Sequence, residues 1–256
     1  MNQSSAAHAD GLTGTTAIVT GAGRGFGRAI AAALAAAGAR VVGVARTRSQ
    51  LEEVRAQLGD AFTPVVADAA DPATAERLID EHRPRTLVLC AGATPPMLPL
   101  QEQTWETFSE NWNSDVAQAF HWVRQTLLRP LAPGSSVIVM SSGAALNGSP
   151  LSGGYAGAKA TVRFITSYAG AEAQRAGLGI GFTAVLPRLT PATALGAAAV
   201  AAYAERQGVD VDSFVRASGP ALTAEQVAKS VLEIATGGAT GQDAYLLTAA
   251  GLAPLA

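Results

Sequence analysis

The sequence predicts one α/β domain built on a doubly wound parallel sheet. Three observations carry that prediction. Short, continuously apolar runs rich in β-branched residues recur along the chain, as in strands buried on both faces. Helical patterns separate them, the alternation that generates parallel crossovers. The 256 residues show no repeat period and no long Pro/Ser-rich linker, and they suffice for one large domain with its own core.

In chain order, Thr16–Thr20 is the first strand and runs into glycines. Arg28–Ala37 is a strong helix former, and Gly38 is its natural stop. Arg40–Ala45 is a second strand, Ser49–Leu58 a helix, and Thr63–Ala67 and Thr86–Cys90 are further strands. A long helix comes next, because Phe108, Trp112, Val116, Phe120, Val123 and Leu127 recur at spacings of four and three and form one apolar stripe. Ser136–Met140 is a strand, Tyr155–Ala173 a helix and Gly179–Val185 a strand. Ala224–Thr236 is a helix that Thr223 is placed to cap, and Ala244–Leu247 is a last short strand. Residues 1–12 read as a flexible leader and 13–256 as the domain.

Composition narrows the function classes. Apolar residues make up 48% of the chain and charged residues 15%, which argues against disorder and for extensive burial, some of it between subunits. The net charge is −2 with no block of like charges, so nothing suggests a nucleic-acid partner or an anionic membrane. Cys90 is the single cysteine, and His8, His82 and His121 are scattered, so no metal site is expected. The longest apolar run, Ala29–Ala37, is too short to span a bilayer, and residues 1–10 lack a basic-then-apolar signal. The expected location is the cytoplasm.

In doubly wound sheets, ligands bind beyond the carboxyl ends of the strands. There, Thr20-Gly21-Ala22-Gly23-Arg24-Gly25-Phe26-Gly27 follows the first strand and opens the first helix. Glycines permit a tight turn and close backbone approach to a pyrophosphate, and a helix N-terminus adds free N–H groups and partial positive charge. The strict G-x-G-x-x-G spacing is not met; T-G-x-x-x-G-x-G is. A site for NAD(H) usually places an acid at the end of the second strand. Here the chain reads Val44-Ala45-Arg46-Thr47-Arg48. Arg46 and Arg48, joined by Arg24, suit a 2′-phosphate, so NADP(H) is expected over NAD(H). The alternative is an ordinary solvated loop. Asp68 and Ala69 follow the third strand; Asp68 either meets the adenine amino group or caps the next turn.

Tyr155 and Lys159 lie four apart on a predicted helix and share a face. A free tyrosine titrates near 10, and a neighbouring ammonium favours the phenolate. Lowering its pKa by about three units corresponds to roughly 4 kcal/mol. Tyr155 is then a general acid in reduction and a general base in oxidation. Ser142 follows a strand and is placed to hydrogen-bond a substrate oxygen as charge develops.

Together, Thr20 to Gly27, Ser142, Tyr155-Ala156-Gly157-Ala158-Lys159 and the order of elements resemble the short-chain dehydrogenase/reductase family, in its single-domain branch. The resemblance runs from about Gly14 to Gly251. It implies a seven-stranded parallel Rossmann sheet, Ser/Tyr/Lys catalysis and a lysine that touches the nicotinamide ribose. It also implies a homodimer or homotetramer packed through the long fourth and fifth helices, which would bury Trp112 and Phe120 unless these belong to the core.

Several positions depart from the family. Its Asn-Asn-Ala-Gly is Leu89-Cys90-Ala91-Gly92 here; Ala91 and Gly92 keep the close approach to the adenosine ribose, and Cys90 fits a buried, inert thiol. Asp115 stands where the family has an asparagine that holds a relay water. The hypothesis is that Asp115 joins the relay, pairing with Lys159 and altering the pH profile; otherwise Asn113 supplies the amide or Asp115 faces water. Pro187 begins the turn facing the nicotinamide. Arg188 replaces a glycine there, and either engages an anionic group or points outward. Thr190 meets the carboxamide by analogy. Pro191–Pro220 replaces the substrate lid; it is Ala-rich with Tyr203 and Phe214, as an adaptable apolar wall would be. The tail lacks the family's terminal Asp-Gly-Gly.

These features predict an NADP(H)-dependent enzyme that interconverts a small-molecule ketone and alcohol by hydride transfer. A catalytically silent nucleotide-binding or regulatory relative is the alternative. Non-redox relatives that eliminate halide or water resemble the chain less, because its dinucleotide turn is whole.

Overall fold

The structure, a computed structural model, describes residues 11–239 and 241–255. Residues 1–10 of the expected leader lie outside the described residues. Leu12, also assigned to that leader, is buried in the core. Strand β1 (Thr16–Thr20), helix α1 (Gly25–Ala36), β2 (Arg40–Ala45), α2 (Arg48–Leu58), β3 (Phe62–Val66), α3 (Pro72–His82) and β4 (Thr86–Leu89) form the first half. Asp71 caps α3 by accepting from the Ala73 N–H at 3.0 Å, and Pro72 sits at its first position. The second half comprises α4 (Trp105–Asn111), a π-helical turn (Trp112–Val116), α5 (Ala117–Leu128), β5 (Ser136–Met140), α6 (Ala144–Asn147), α7 (Gly153–Arg175) and β6 (Gly181–Pro187). Then come α8 (Ala194–Gln207), α9 (Val211–Ala217), α10 (Ala224–Ala235), β7 (Ala244–Thr248) and β8 (Gly251–Pro254). Thr223 caps α10 in a capping box with Gln226.

The sheet order is β3-β2-β1-β4-β5-β6-β7-β8. Strands β1 to β7 pair in parallel, and β8 adds an antiparallel edge by pairing Thr248 with Gly251 and Tyr245 with Pro254. This eighth strand extends the expected seven-stranded sheet. Alternate residues of β1 point to opposite faces: Ala17 and Val19 enter a core with Ile30, Leu34 and Val231, and Ile18 enters another with Leu78, Trp122 and Phe182. The strand order reverses between β1 and β4, and a crevice opens at such a reversal. Among the described residues, no helix is long and apolar enough to cross a membrane.

The long helix expected from the apolar stripe is interrupted. The π turn at Trp112–Val116 inserts an extra residue and rotates α5 about the helix axis relative to α4. Trp112 is 40% and Phe120 50% exposed, while Asn111, Asp115, Gln118 and Trp122 face inward.

Candidate active site

A cleft of about 1240 Å³ runs along the carboxyl ends of the parallel strands. Gly21, Gly23, Arg24, Gly25, Phe26 and Gly27 line one end, where β1 hands over to α1. Gly21 has φ 68°, and a Cβ there would lie 2.9 Å from the Ala91 backbone. A Cβ on Gly27 would collide with the Gly21 carbonyl. The turn is thus folded against its own helix and against the end of β4, which only glycine allows. Among the described residues, no side chain caps the α1 N-terminus, so its N–H groups stay available to a ligand.

A buried polar knot holds this junction. The Thr20 hydroxyl accepts from the Cys90 N–H at 2.9 Å and the Ala91 N–H at 3.2 Å, and it meets Gln118 at 2.5 Å. Gln118 Nε2 closes the ring by donating to the Ala91 carbonyl at 2.9 Å. Ala69 and Asp68 line the same wall; the Ala69 carbonyl accepts from the Trp122 indole at 2.8 Å, and Asp68 accepts from the Ala70 N–H at 2.9 Å, which caps the turn.

Arg24 and Arg46 both line the cleft and are exposed. Arg48 does not line it; as the first residue of α2 it reaches along the helix to Glu52 at 4.0 Å. Of the two arginines after β2, only Arg46 lines the cleft, which it shares with Arg24 of the glycine turn.

The central part of the cleft gathers Ser142, Tyr155, Lys159, Asp115, Ala91, Gly92, Pro187 and Thr190. Ser142 lies in the loop after β5, whose Gly143 N–H donates to the Pro187 carbonyl at 2.9 Å and ties it to the turn after β6. Tyr155 and Lys159 occupy the first turns of α7, and the lysine Nζ is 5.7 Å from the tyrosine ring centre. Lys159 is fixed from two sides: its Nζ donates to the Met140 carbonyl at 2.9 Å and pairs with Asp115 Oδ1 at 2.8 Å. Ser141 donates to the Lys159 carbonyl at 2.7 Å, locking the end of β5 to α7.

Packing sets the electrostatics. Burial pushes the Tyr155 phenol above its ordinary range, against the pull of the Lys159 charge and the Ser142 hydrogen bond; Asp115 and Cys90 push the same way as burial. The expected lowering by Lys159 is thus outweighed in this geometry. Burial also opposes the charge on Lys159, but Asp115 and Tyr155 overcome it and the lysine is pushed up to about 12. Burial raises the Cys90 thiol to about 11.

Thr190 and Arg188 lie beyond β6. Thr190 is buried and donates its hydroxyl to the Leu222 carbonyl at 2.5 Å. Arg188 is exposed and spans the lid, donating to the Ser218 carbonyl at 3.4 Å. The lid itself is α8 and α9, joined by stacking of Tyr203 on Phe214; a hydrogen bond between Tyr203 and Ser149 ties it to the cleft. Gln118, Ser141 and Gly154 help to build this cleft but escape the sequence reading. Asn111, Asp115 and Gln118, at spacings of four and three, are the available signal for the first of these, a polar stripe on an otherwise amphipathic helix.

The family model described as short chain dehydrogenase matches residues 15–204. The chain belongs to the short-chain dehydrogenase family. It is 36% identical over 134 residues to the L-xylulose reductase of Mesocricetus auratus, covering 51% of this chain and 54% of that protein. It is 35% identical over 134 residues to carbonyl reductase (NADPH) 2 of Sus scrofa, with the same coverage of 51% and 54%. The chain thus spans about half the length of these curated relatives. A solved dehydrogenase/reductase from Sinorhizobium meliloti 1021 superposes with a TM-score of 0.78 at 27% identity, over 93% of this chain and 95% of that one. Reductases therefore stand among the homologues of this short-chain dehydrogenase.

Proposed function

We propose that the chain is an NADP(H)-dependent oxidoreductase interconverting a small-molecule ketone and its alcohol. One observation carries the reading: Ser142, Tyr155 and Lys159 converge on one cleft with a glycine turn and an uncapped helix N-terminus. The residues fit a dinucleotide. Gly21 to Gly27 leave room for a pyrophosphate against the α1 N-terminus. Ala91 and Gly92 would hold the adenosine ribose, and Asp68 and Ala69 the adenine. Arg24 and Arg46, with no carboxylate at the end of β2, support a 2′-phosphate and hence NADP(H) over NAD(H). The name of the porcine relative, a carbonyl reductase using NADPH, agrees with that choice. Pro187 would border the nicotinamide, and Thr190 lines the same cleft with its hydroxyl bonded to the Leu222 carbonyl.

When bound, the reduced nicotinamide supplies the hydride. Ser142 donates a hydrogen bond to the substrate oxygen and steadies the charge that develops there. The Tyr155 phenol gives that oxygen a proton, which completes the alcohol; in the reverse direction the phenolate takes it back. Lys159, held by Met140 and Asp115, would orient a ribose hydroxyl beside the phenol. The exposed Trp112 and Phe120 support packing into a homodimer or homotetramer.

The test is a fluorescence titration of the purified protein with NADPH and with NADH. Tight NADPH binding is expected, weakened about tenfold or more in Arg46→Ala while NADH binding changes little. Tyr155→Phe should bind NADPH yet lose carbonyl reduction. If neither nucleotide binds, the oxidoreductase reading is sunk.

A further inference from the structure

The proposed chemistry leaves one buried charge without a role of its own. Asp115 is 2% exposed, and its carboxylate is met only by donors. Oδ1 faces Lys159 Nζ at 2.8 Å. Oδ2 accepts from the Ala93 N–H at 3.0 Å, from Asn111 Nδ2 at 3.2 Å and from the Ser114 hydroxyl at 2.8 Å. The π turn is what delivers this carboxylate to the lysine. An asparagine could not satisfy the same set, because its amide nitrogen would face either the ammonium or those three donors.

The consequence falls on Tyr155. An unaccompanied ammonium beside a phenol draws it toward phenolate. Here a negative charge neutralises that ammonium at 2.8 Å, so the phenol senses an ion pair rather than a cation. We propose that Asp115 is a positioning residue that, through its ion pair with Lys159, keeps Tyr155 protonated at neutral pH and suits the site to carbonyl reduction. This rests on the reading of Tyr155 as the proton donor. The equilibrium between ketone and alcohol is untouched; what changes is the pH range over which each direction runs. Reduction, which needs the phenol, extends to alkaline pH. Oxidation, which needs the phenolate, is confined there.

The other groups around Tyr155 do not undo this. From α7 comes Lys159, and from the end of β4 comes Cys90, a neutral thiol until about pH 11. Ser142, after β5, contributes only a hydroxyl. Arg188, after β6, and Glu110, on α4, line the same cleft but are exposed. The upward displacement of Tyr155, to which Asp115 contributes, agrees with the geometry.

The test needs no substrate. Phenolate absorbance is titrated in the wild type and in Tyr155→Phe, and the difference isolates one of the four tyrosines. The expected result is that Tyr155 ionises no earlier than a free tyrosine, near pH 10. In Asp115→Asn its titration moves to lower pH, with about tenfold more phenolate at a given pH below the midpoint. In Asp115→Glu, which keeps the charge, it stays near the wild-type position. Identical titrations in the wild type and Asp115→Asn overturn the proposal, as does an equal displacement in Asp115→Glu. If Asp115→Asn does not fold, the wild type alone decides: ionisation of Tyr155 below the free-tyrosine value refutes it. The nucleotide titration is a separate readout, so loss of the oxidoreductase reading and loss of this one are distinguishable.

Discussion

The Thr20 hydroxyl and Gln118 Oε1 lie 2.5 Å apart, joining the end of β1 to the first turn of α5. Both side chains are buried, and through them the Cys90 and Ala91 amides are satisfied at the end of β4. The glycine turn rests on this knot, because Gly21 abuts Ala91. Thr20→Val keeps the shape and removes the hydroxyl. Buried amides without a partner cost about 1–3 kcal/mol each. The expected loss is therefore about 2 kcal/mol or more of unfolding free energy, together with weaker nucleotide binding. Urea unfolding checks the first, and an unmoved midpoint would show that water replaces the hydroxyl at no cost.

Gly154 sits one residue before Tyr155, where α7 crosses α4. A Cβ at Gly154 would be driven into the Phe108 carbonyl, whereas one at Gly153 would meet only Phe108 Cε2 at 3.5 Å, an ordinary contact. Gly154→Ala should lose about 3 kcal/mol or more, or fail to accumulate as folded protein. Gly153→Ala should stay within about 1 kcal/mol of the wild type. Thermal unfolding of the two side by side is the measurement. Similar midpoints would mean that the helices separate without cost.

How far the sequence alone reaches depends on the kind of interaction. Strands buried on both faces must be continuously apolar, so β1, β2 and β5 are read with their observed bounds at Thr16–Thr20, Arg40–Ala45 and Ser136–Met140. Ser142, Tyr155 and Lys159 are legible because spacing and order survive folding, and the cleft does collect them. The π turn is not legible. Trp112–Val116 has no unusual propensity, and its geometry goes with the contacts Asp115 makes to Lys159 and Ala93. Adjacency groups Arg48 with Arg46, but α2 begins at Arg48, and helical geometry aims it at Glu52. The displacement of Tyr155 is hidden because burial, which outweighs Lys159 there, is a property of the whole fold.

Cys90 makes the protein sensitive to alkali. Burial raises its thiol from 9.0 to about 11, so the folded chain holds this proton more tightly than the unfolded chain. The stability from this group is fully present below pH 9 and is lost as pH rises toward 11. A displacement of this size corresponds to at most about 3 kcal/mol. Cys90→Ala should flatten the fall in stability across that window, measured by urea midpoints at successive pH values. A profile as steep as the wild type would assign the alkaline loss to Tyr155 and Lys159, whose raised values act in the same direction.

Arg188 links the turn after β6 to the lid through the Ser218 carbonyl at 3.4 Å. Arg188→Gly should loosen the segment after α9 without touching the nucleotide end of the cleft. The expected outcome is a KM for a carbonyl substrate raised by about tenfold or less, in keeping with one exposed hydrogen bond. The Kd for NADPH should not move. A large loss of NADPH affinity would instead place the guanidinium on the cofactor phosphates.

The exposed aromatic side chains Trp112 and Phe120 are continued by two on α7. Phe164 and Tyr168 stack with ring centres 6.1 Å apart and are 52% and 66% exposed. Trp112 passes over Gly157 on the same helix, where an added Cβ would lie 3.7 Å from its ring. Water meets this apolar face in an isolated chain, and a second copy would cover it, as the proposed homodimer or homotetramer requires. A carboxylate at the centre of such a contact has no partner and is costly to bury. Phe164→Asp should therefore yield a smaller species in sedimentation velocity, with far-ultraviolet circular dichroism unchanged because the side chain is solvent-facing in the monomer. Phe120→Asp on α5 should do the same. A wild type that sediments as a monomer, or variants that keep the wild-type mass, would leave the proposed assembly without support and show that this face meets water.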